Sequence, residues 1–245
     1  MKDNLLFGIH SVHETLLEGK SIDQILIKKQ SDHETIREII FLARKAGVTV
    51  KSVPVEKLNK ITRKNHQGVI AFTSPVDFAN IEDVIPSVFE AGRVPLVVIL
   101  DEVTDVRNFG AIVRSCECFG VDAVVIPQKG SAQINEDAVK TSSGALHKIP
   151  ICKVKSLSYT LEFLKQSGLK ITCVTEKFAK KTYEADLTTP LAIVLGSEDT
   201  GISQRLIDIA DEGISIPMKG EISSLNVSVA AGITLYEINA QRSEA

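Results

Sequence analysis

Leu191-Ala192-Ile193-Val194-Leu195-Gly196-Ser197-Glu198-Asp199-Thr200-Gly201 sets an unbroken apolar run directly before a loop of glycine, four residues and glycine. A short, wholly apolar run bounded by turn formers reads as a strand buried on both faces of a parallel sheet. The loop nearly matches a phosphate-binding P-loop, but Ile202 stands where the lysine is required. Glu198 and Asp199 also lie where phosphates would sit, so anion binding is disfavoured by charge. A loop of glycines and carboxylates suits an uncharged or cationic ligand instead.

Outward from this stretch the same grammar repeats. Leu96–Leu100, Ala123–Ile126, Lys148–Cys152, Lys170–Val174 and Gly213–Ile216 read as further strands. Between them lie helical segments at Asn108–Phe119, Asn135–Ala145, Leu157–Gln166, Gln204–Ala210 and Leu225–Gln241. Strand and helix in alternation indicate an α/β fold around a parallel sheet. In front, Ile22–Lys28, Val48–Val53 and Gly68–Thr73 read as strands, with helices at His10–Leu17 and Glu34–Ala46. Asp32 is the expected N-cap of the second of these helices. Ser74–Asn80 breaks the periodicity with a proline and turn formers. The organisation expected is a domain over 1–75, a linker over 76–93 and a second domain over 94–245.

Bulk properties bound the function classes. The chain has 245 residues, 44% hydrophobic and 24% charged, and a net charge of −3. Its apolar runs are too short to span a bilayer, and Met1–Gly8 does not read as a signal peptide, so a cytoplasmic protein without membrane association is expected. Residues 1–75 carry a charge of +4 and the remainder −7. A basic front and an acidic back suggest two tasks, with nucleic acid a candidate partner for the front. Cys116, Cys118, Cys152 and Cys173 have no zinc-site spacing, and His10-x-x-His13 has no third ligand at useful spacing. No metal is expected.

Open α/β sheets bind ligands beyond the carboxyl ends of their strands. Two further strands end in unusual loops. Asp101–Arg114 offers Asp105 or Asn108 as a helix cap, Gly110 for close backbone approach, and Arg114 about one and a half turns into the helix. Ile216–Ser228 offers a Pro217/Gly220 turn, Ser223 or Ser224 as a cap, and Asn226 and Ser228 at the start of the last helix. No G-x-G-x-x-G follows any strand, which weighs against a dinucleotide enzyme.

Together the three loops resemble the motifs of the SPOUT class of RNA methyltransferases, in its ribose 2′-O (TrmH) branch. Asn108-Phe109-Gly110-Ala111-Ile112-Val113-Arg114 is similar to the first motif, Gly196-Ser197-Glu198 through Gly201 to the second, and Ile216-Pro217-Met218 with Ser224-Leu225-Asn226-Val227-Ser228 to the third. Phe7–Val12 and His66–Val69 are similar to the front, L30e-like RNA-binding domain of these enzymes. The resemblance implies a trefoil knot in the second domain, S-adenosyl-L-methionine as methyl donor, and a homodimer with its sites at the interface. It implies catalytic roles for Arg114, Asn226 and Glu198. It implies a cofactor cradle of Leu195, Gly196, Ile216, Met218, Ser224 and Leu225. The implied substrate is a guanosine ribose in 23S ribosomal RNA, with transfer RNA or another ribosomal nucleotide as the alternative. Lys28, Lys29, Arg63, Lys64, His66 and Arg107 are the candidate phosphate contacts. Two departures stand out: Asp105-Val106-Arg107-Asn108 lacks the family's proline, and Asp199 replaces a glycine. A non-catalytic RNA-binding protein remains open at this point.

Overall fold

The computed structural model describes residues 5–31, 33–222 and 224–244, and the chain divides into two compact units, residues 1–77 and 78–245. The expected caps Asp32 and Ser223 lie outside the described residues.

The first unit runs β1 (Leu5–Phe7), α1 (Ile9–Leu17), β2 (Ile22–Lys28), α2 (Glu34–Lys45), β3 (Thr49–Val53), α3 (Val55–Ile61) and β4 (Val69–Thr73). Its strands order as β1-β4-β2-β3, with only the β2–β3 pair parallel. Period-two alternation sends Ile25 and Ile27 of β2 against α1 and α2, and Leu26 against Leu58 of α3. The short β1 and α3 escaped the sequence reading; α3 has a single fully buried residue, too little for a period to show.

The second unit begins with α4 (Ile81–Glu90). That helix lies inside the stretch 76–93, which the sequence suggested was a linker. Pro86 invites the linker reading, because proline removes a helix hydrogen bond. Ile81, Ile85 and Val88, spaced four and three apart, are nonetheless buried, and tertiary burial outweighs the local penalty. There follow β5 (Leu96–Asp101), α5 (Val106–Cys118), β6 (Ala123–Pro127), α6 (Glu136–Thr141), β7 (Ile151–Val154), α7 (Leu157–Gln166), β8 (Lys170–Val174), β9 (Leu191–Gly196), α8 (Gln204–Ile209), β10 (Glu212–Ile214) and α9 (Val227–Glu244). Several boundaries differ from expectation, those of α6 and β7 among them. α6 ends at Thr141 because Ser143 and Gly144 take positive φ, and β7 starts late, after a 3-10 turn at Ala145–His147 and Pro150.

The six strands order as β10-β8-β9-β5-β6-β7, all parallel. β9 therefore returns between β5 and β8, and the ends of β5 and β9 lie side by side with Asp101 opposite Gly196. Val97, Ile99, Ala192 and Val194 pack under α4, α7 and α8. α5 packs on α6 and α9, and α9 touches β9 from the other face. Arg242 donates to the carbonyls of Val94, Pro95, Leu187 and Thr189, tying the end of α9 to the segments that lead into β5 and β9. Among the described residues no helix is long and apolar enough to cross a membrane.

Candidate active site

Three of the strand ends bring their loops together. Asp101, buried at the end of β5, accepts from the Ser203 amide at 2.8 Å and so holds the far end of the second loop. That loop closes on itself: the Gly201 amide donates to the Ser197 carbonyl at 3.0 Å, Ser197 and Gly201 form a bridge, and Gly201 takes φ +68°. Thr200 donates to Glu102 at 3.4 Å and shares a hydroxyl contact with Ser197 at 2.8 Å, pinning the turn. Gly196 is dictated by this closure. A Cβ there would stand 2.1 Å from the Gly201 carbonyl carbon and 2.3 Å from the Ile202 amide. The residue is glycine because the loop folds back over it, a constraint independent of any ligand. At Gly110, likewise, the close approach is to α6: a Cβ would meet Thr141 at 2.7 Å and the Ala138 carbonyl at 3.0 Å.

The loops converge on one carboxylate oxygen. Glu198 Oε1 accepts from Asn108 Nδ2 at 3.0 Å, from the Val227 amide at 3.4 Å, and from Asn226 Nδ2. Asn226 Nδ2 also donates to Asn108 Oδ1 at 3.0 Å. Its Oδ1 accepts from the amides of Ser228 at 2.9 Å and Val229 at 3.4 Å, so Asn226 is the cap of α9. The helix is thus capped by Asn226 and not by Ser224. Asp105 caps α5, accepting from the amides of Arg107 and Asn108 at 2.9 and 2.8 Å. Asn226 therefore has both amide protons and its oxygen engaged. Glu198 and the two asparagines position one another.

A cavity of about 360 Å³ opens beside this cluster. Its lining includes Leu195, Gly196, Ile216, Met218, Ser224 and Leu225, all six residues expected to cradle the cofactor, together with Glu198 and Asp199. Val174, which ends β8, and Thr175, Glu176 and Lys177, which follow it, line it too. Sequence reasoning missed this fourth segment. It has no glycine or proline to mark it, and only the sheet order, with β8 beside β9, brings it to the site. The lining has three carboxylates, Glu176, Glu198 and Asp199, against one cation, Lys177. Apolar walls and an acidic rim fit an adenosyl group carrying a sulfonium and reject a polyphosphate.

Arg114 and Arg107 stand apart from this cavity. Both are exposed on α5, seven residues apart and so on one face. The Arg114 side chain forms no hydrogen bond or ion pair with a described residue and does not line the cavity.

In the first unit, Lys28 and Lys29 end β2 beside the loop that carries Arg63 and Lys64, since the Lys28 amide donates to the Gly68 carbonyl at 2.8 Å. His66 does not serve as a phosphate contact. It is buried, Nδ1 accepts from the Gly68 amide at 3.0 Å, and Nε2 lies 2.9 Å from Asn59 Oδ1. Accepting at Nδ1 leaves the proton on Nε2, which donates to Asn59. His13 of the His-x-x-His pair lies 3.2 Å from Glu38.

Comparison with known proteins bears on the same segments. Residues 95–236 match the model of the SpoU rRNA Methylase family, and residues 5–79 match that of the RNA 2′-O ribose methyltransferase substrate-binding domain. A putative TrmH family tRNA/rRNA methyltransferase of Staphylococcus epidermidis is 35% identical over 242 residues, 99% of this chain and 97% of the relative. Among solved structures, the SpoU methyltransferase AviRb from Streptomyces viridochromogenes, in complex with AdoMet, aligns with a TM-score of 0.64 at 21% identity, over 98% of this chain and 91% of that one. The A. aeolicus TrmH/SpoU tRNA modifying enzyme aligns with a TM-score of 0.57 at 35% identity, over 66% of this chain and 84% of that one. The chain belongs to the SpoU rRNA methylase family, its methyltransferase domain standing behind an RNA 2′-O-ribose methyltransferase substrate-binding domain.

Proposed function

We propose that this protein transfers a methyl group from S-adenosyl-L-methionine to the 2′-hydroxyl of a guanosine in 23S ribosomal RNA. The observation that carries the chemistry is the convergence of Asn108, Glu198 and Asn226 beside an acidic, apolar-walled cavity. The ribosomal substrate is supported by the description of the family matched over residues 95–236, the SpoU rRNA Methylase family.

When bound, the cofactor supplies an electrophilic methyl on a sulfonium. The chain's part is to orient the ribose and stabilise charge on its oxygen, because an alcohol is a weak nucleophile at neutral pH. Glu198, already accepting three donors on one oxygen, is poorly placed to act as a base. It positions the second and third loops instead. A guanidinium is a poor proton acceptor, so the role left to Arg114 is that of a cation that holds a phosphate or the developing alkoxide. Leu195, Gly196, Ile216, Met218, Ser224 and Leu225 hold the adenosyl part.

Two further readings belong to this proposal. One is the trefoil threading of the second unit. The other is a cytoplasmic homodimer with α9 at its interface. α9 exposes Val229, Ile233 and Tyr236 on its outer side, an apolar surface that a second copy would bury. The exposed Arg114 on the adjoining α5 would then meet the partner's site. Ile233→Glu with Tyr236→Glu should run as a monomer in light scattering.

The decisive experiment maps 2′-O-methylation across ribosomal and transfer RNA with and without the protein. One ribosomal guanosine losing its mark supports the proposal. A mark lost from transfer RNA alone moves the substrate, and no lost mark together with no thermal shift on adding S-adenosylmethionine refutes it.

A further inference from the structure

The first unit carries a second surface of unusual make-up, on α2. The inner side of this helix holds Ile36, Ile39 and Ala43, all buried in the core of the unit. Its outer side presents Phe41 at 67% exposure, the most exposed large aromatic of the described residues. Arg37 lies four residues before Phe41, and Arg44 and Lys45 lie three and four after it. That spacing places all three on the same outer face. All three are exposed, and none forms an ion pair with a described residue. Two acids share this side by the same spacing: Glu38, three residues before Phe41, is engaged with His13 of α1 at 3.2 Å, and Glu34 stands in the first turn, so cations outnumber acids three to two. Arg44 and Lys45 have a structural reason, since cations complement the carboxyl end of a helix. Arg37, one turn into the helix, and Phe41 have none. The strand-end lysines Lys28 and Lys29 precede α2, whereas Arg44 and Lys45 close it and lead into β3 at the opposite end of the sheet.

We propose that Phe41, with Arg37 and Arg44, is a stacking site for an unpaired base of the substrate RNA, the cations holding the flanking phosphates. The site rests on the RNA reading above and gives the front domain a second RNA-contacting surface besides the strand-end lysines. An aromatic face accepts any base, and neighbouring guanidiniums supply charge complementarity to the backbone. A protein partner would find an excess of cations around the same ring. Leu17 of α1, also exposed on this helical layer, would belong to that competing surface.

Fluorescence anisotropy on the full chain tests this, with a labelled twelve-nucleotide single-stranded RNA of mixed sequence and with a 23S transcript as probes. Phe41→Ala should weaken binding roughly five- to a hundredfold and leave the salt slope unchanged. Phe41→Leu should behave like the alanine variant, and Phe41→Tyr should restore affinity. Arg37→Gln with Arg44→Gln should lower the slope of log affinity against log salt by about 1.4, two phosphate contacts on a single strand. Cofactor affinity and melting temperature serve as controls and should match wild type in all four variants. Wild-type affinity for Phe41→Ala, or for Phe41→Leu, overturns the proposal while leaving methyl transfer intact. So does a loss of self-association in Phe41→Ala at unchanged RNA affinity, which would assign the face to protein. A wild-type chain that neither binds nor methylates RNA overturns the functional reading together with this one.

Discussion

Replacing Gly196 with alanine adds a single methyl, and the structure says where it must go. Ordinary van der Waals contact begins at 3.4 Å, and the new Cβ would stand 2.1 Å from the Gly201 carbonyl carbon, a deficit of about 1.3 Å. The obstacle is backbone, so no rotamer change relieves it. Either the Ser197–Gly201 bridge opens or the end of β9 shifts against β5. Overpacking of this kind costs about 1–3 kcal/mol in a well-packed interior. The loop's own hydrogen bonds, Gly201 to Ser197 and Ser203 to Asp101, stand to be lost with it. A displacement of about 1 Å at a reacting centre can cost roughly a hundredfold in rate. Gly196→Ala should therefore melt at a lower temperature and bind S-adenosylmethionine at least tenfold more weakly by calorimetry, with methyl transfer reduced further. Gly201→Ala is the matched comparison. Its positive φ is strained for alanine, but nothing lies within 4 Å of the added methyl, so its cofactor affinity should fall less. A Gly196→Ala protein with wild-type melting and wild-type cofactor affinity would show that the loop does not close over this residue as described.

Arg114→Lys keeps the charge and loses the planar fork, so turnover should drop at least tenfold while calorimetric affinity for the cofactor stays unchanged; near-wild-type turnover would remove Arg114 from the chemistry. Glu198→Gln removes the charged acceptor shared by Asn108, Asn226 and Val227. Turnover should fall roughly a hundredfold, and amide exchange at the start of α9 should accelerate; unchanged exchange would mean that the carboxylate does not hold the third loop. Burial pushes the thiols of Cys152 and Cys173 up to about 12 from an ordinary 9.0, the nearby Asp101 adding to the shift at Cys173. Because the folded state holds these protons longer, the stabilisation is full below pH 9 and is lost as pH rises towards 12. Each thiol removes about 1.4 kcal/mol per pH unit over that window. Melting temperature followed from pH 8 to 11 should fall more steeply in wild type than in the Cys152→Ala/Cys173→Ala variant, and parallel curves would contradict the assignment.

How far the sequence could be read depended on whether its signal was local. β5, β6 and β9 announce themselves because a strand covered on both faces has no polar positions, and α7 keeps the bounds expected for it, Leu157–Gln166, its start fixed by Ser156 accepting from the Tyr159 amide. α4 was obscured by Pro86, whose local penalty is overridden by burial that only the folded chain reveals. The six residues expected to cradle the cofactor were picked out by their motifs, and all six line one cavity. The segment Thr175–Lys177 was not, because its place beside the second loop follows from β9 inserting between β5 and β8. His66 misled for a related reason: a histidine in a basic stretch looks free until the partners of both ring nitrogens are seen. Asp105 or Asn108 was expected to cap α5; Asp105 takes that task, and the Asn108 amide is left to reach across 90 residues to Glu198.

That shared oxygen on Glu198 has a consequence for how such a site can change over generations. Donors from the first and third motifs meet on one atom of the second, so no motif can vary alone without disturbing the other two. Substitutions at Asn108, Glu198 and Asn226 should be strongly non-additive, each single change costing nearly as much as all three together. A site wired this way is inherited as a block. The freedom to acquire a new RNA target then lies outside it, in surfaces such as the outer face of α2 or the strand-end lysines of the first unit, where one residue can be exchanged without consulting the rest.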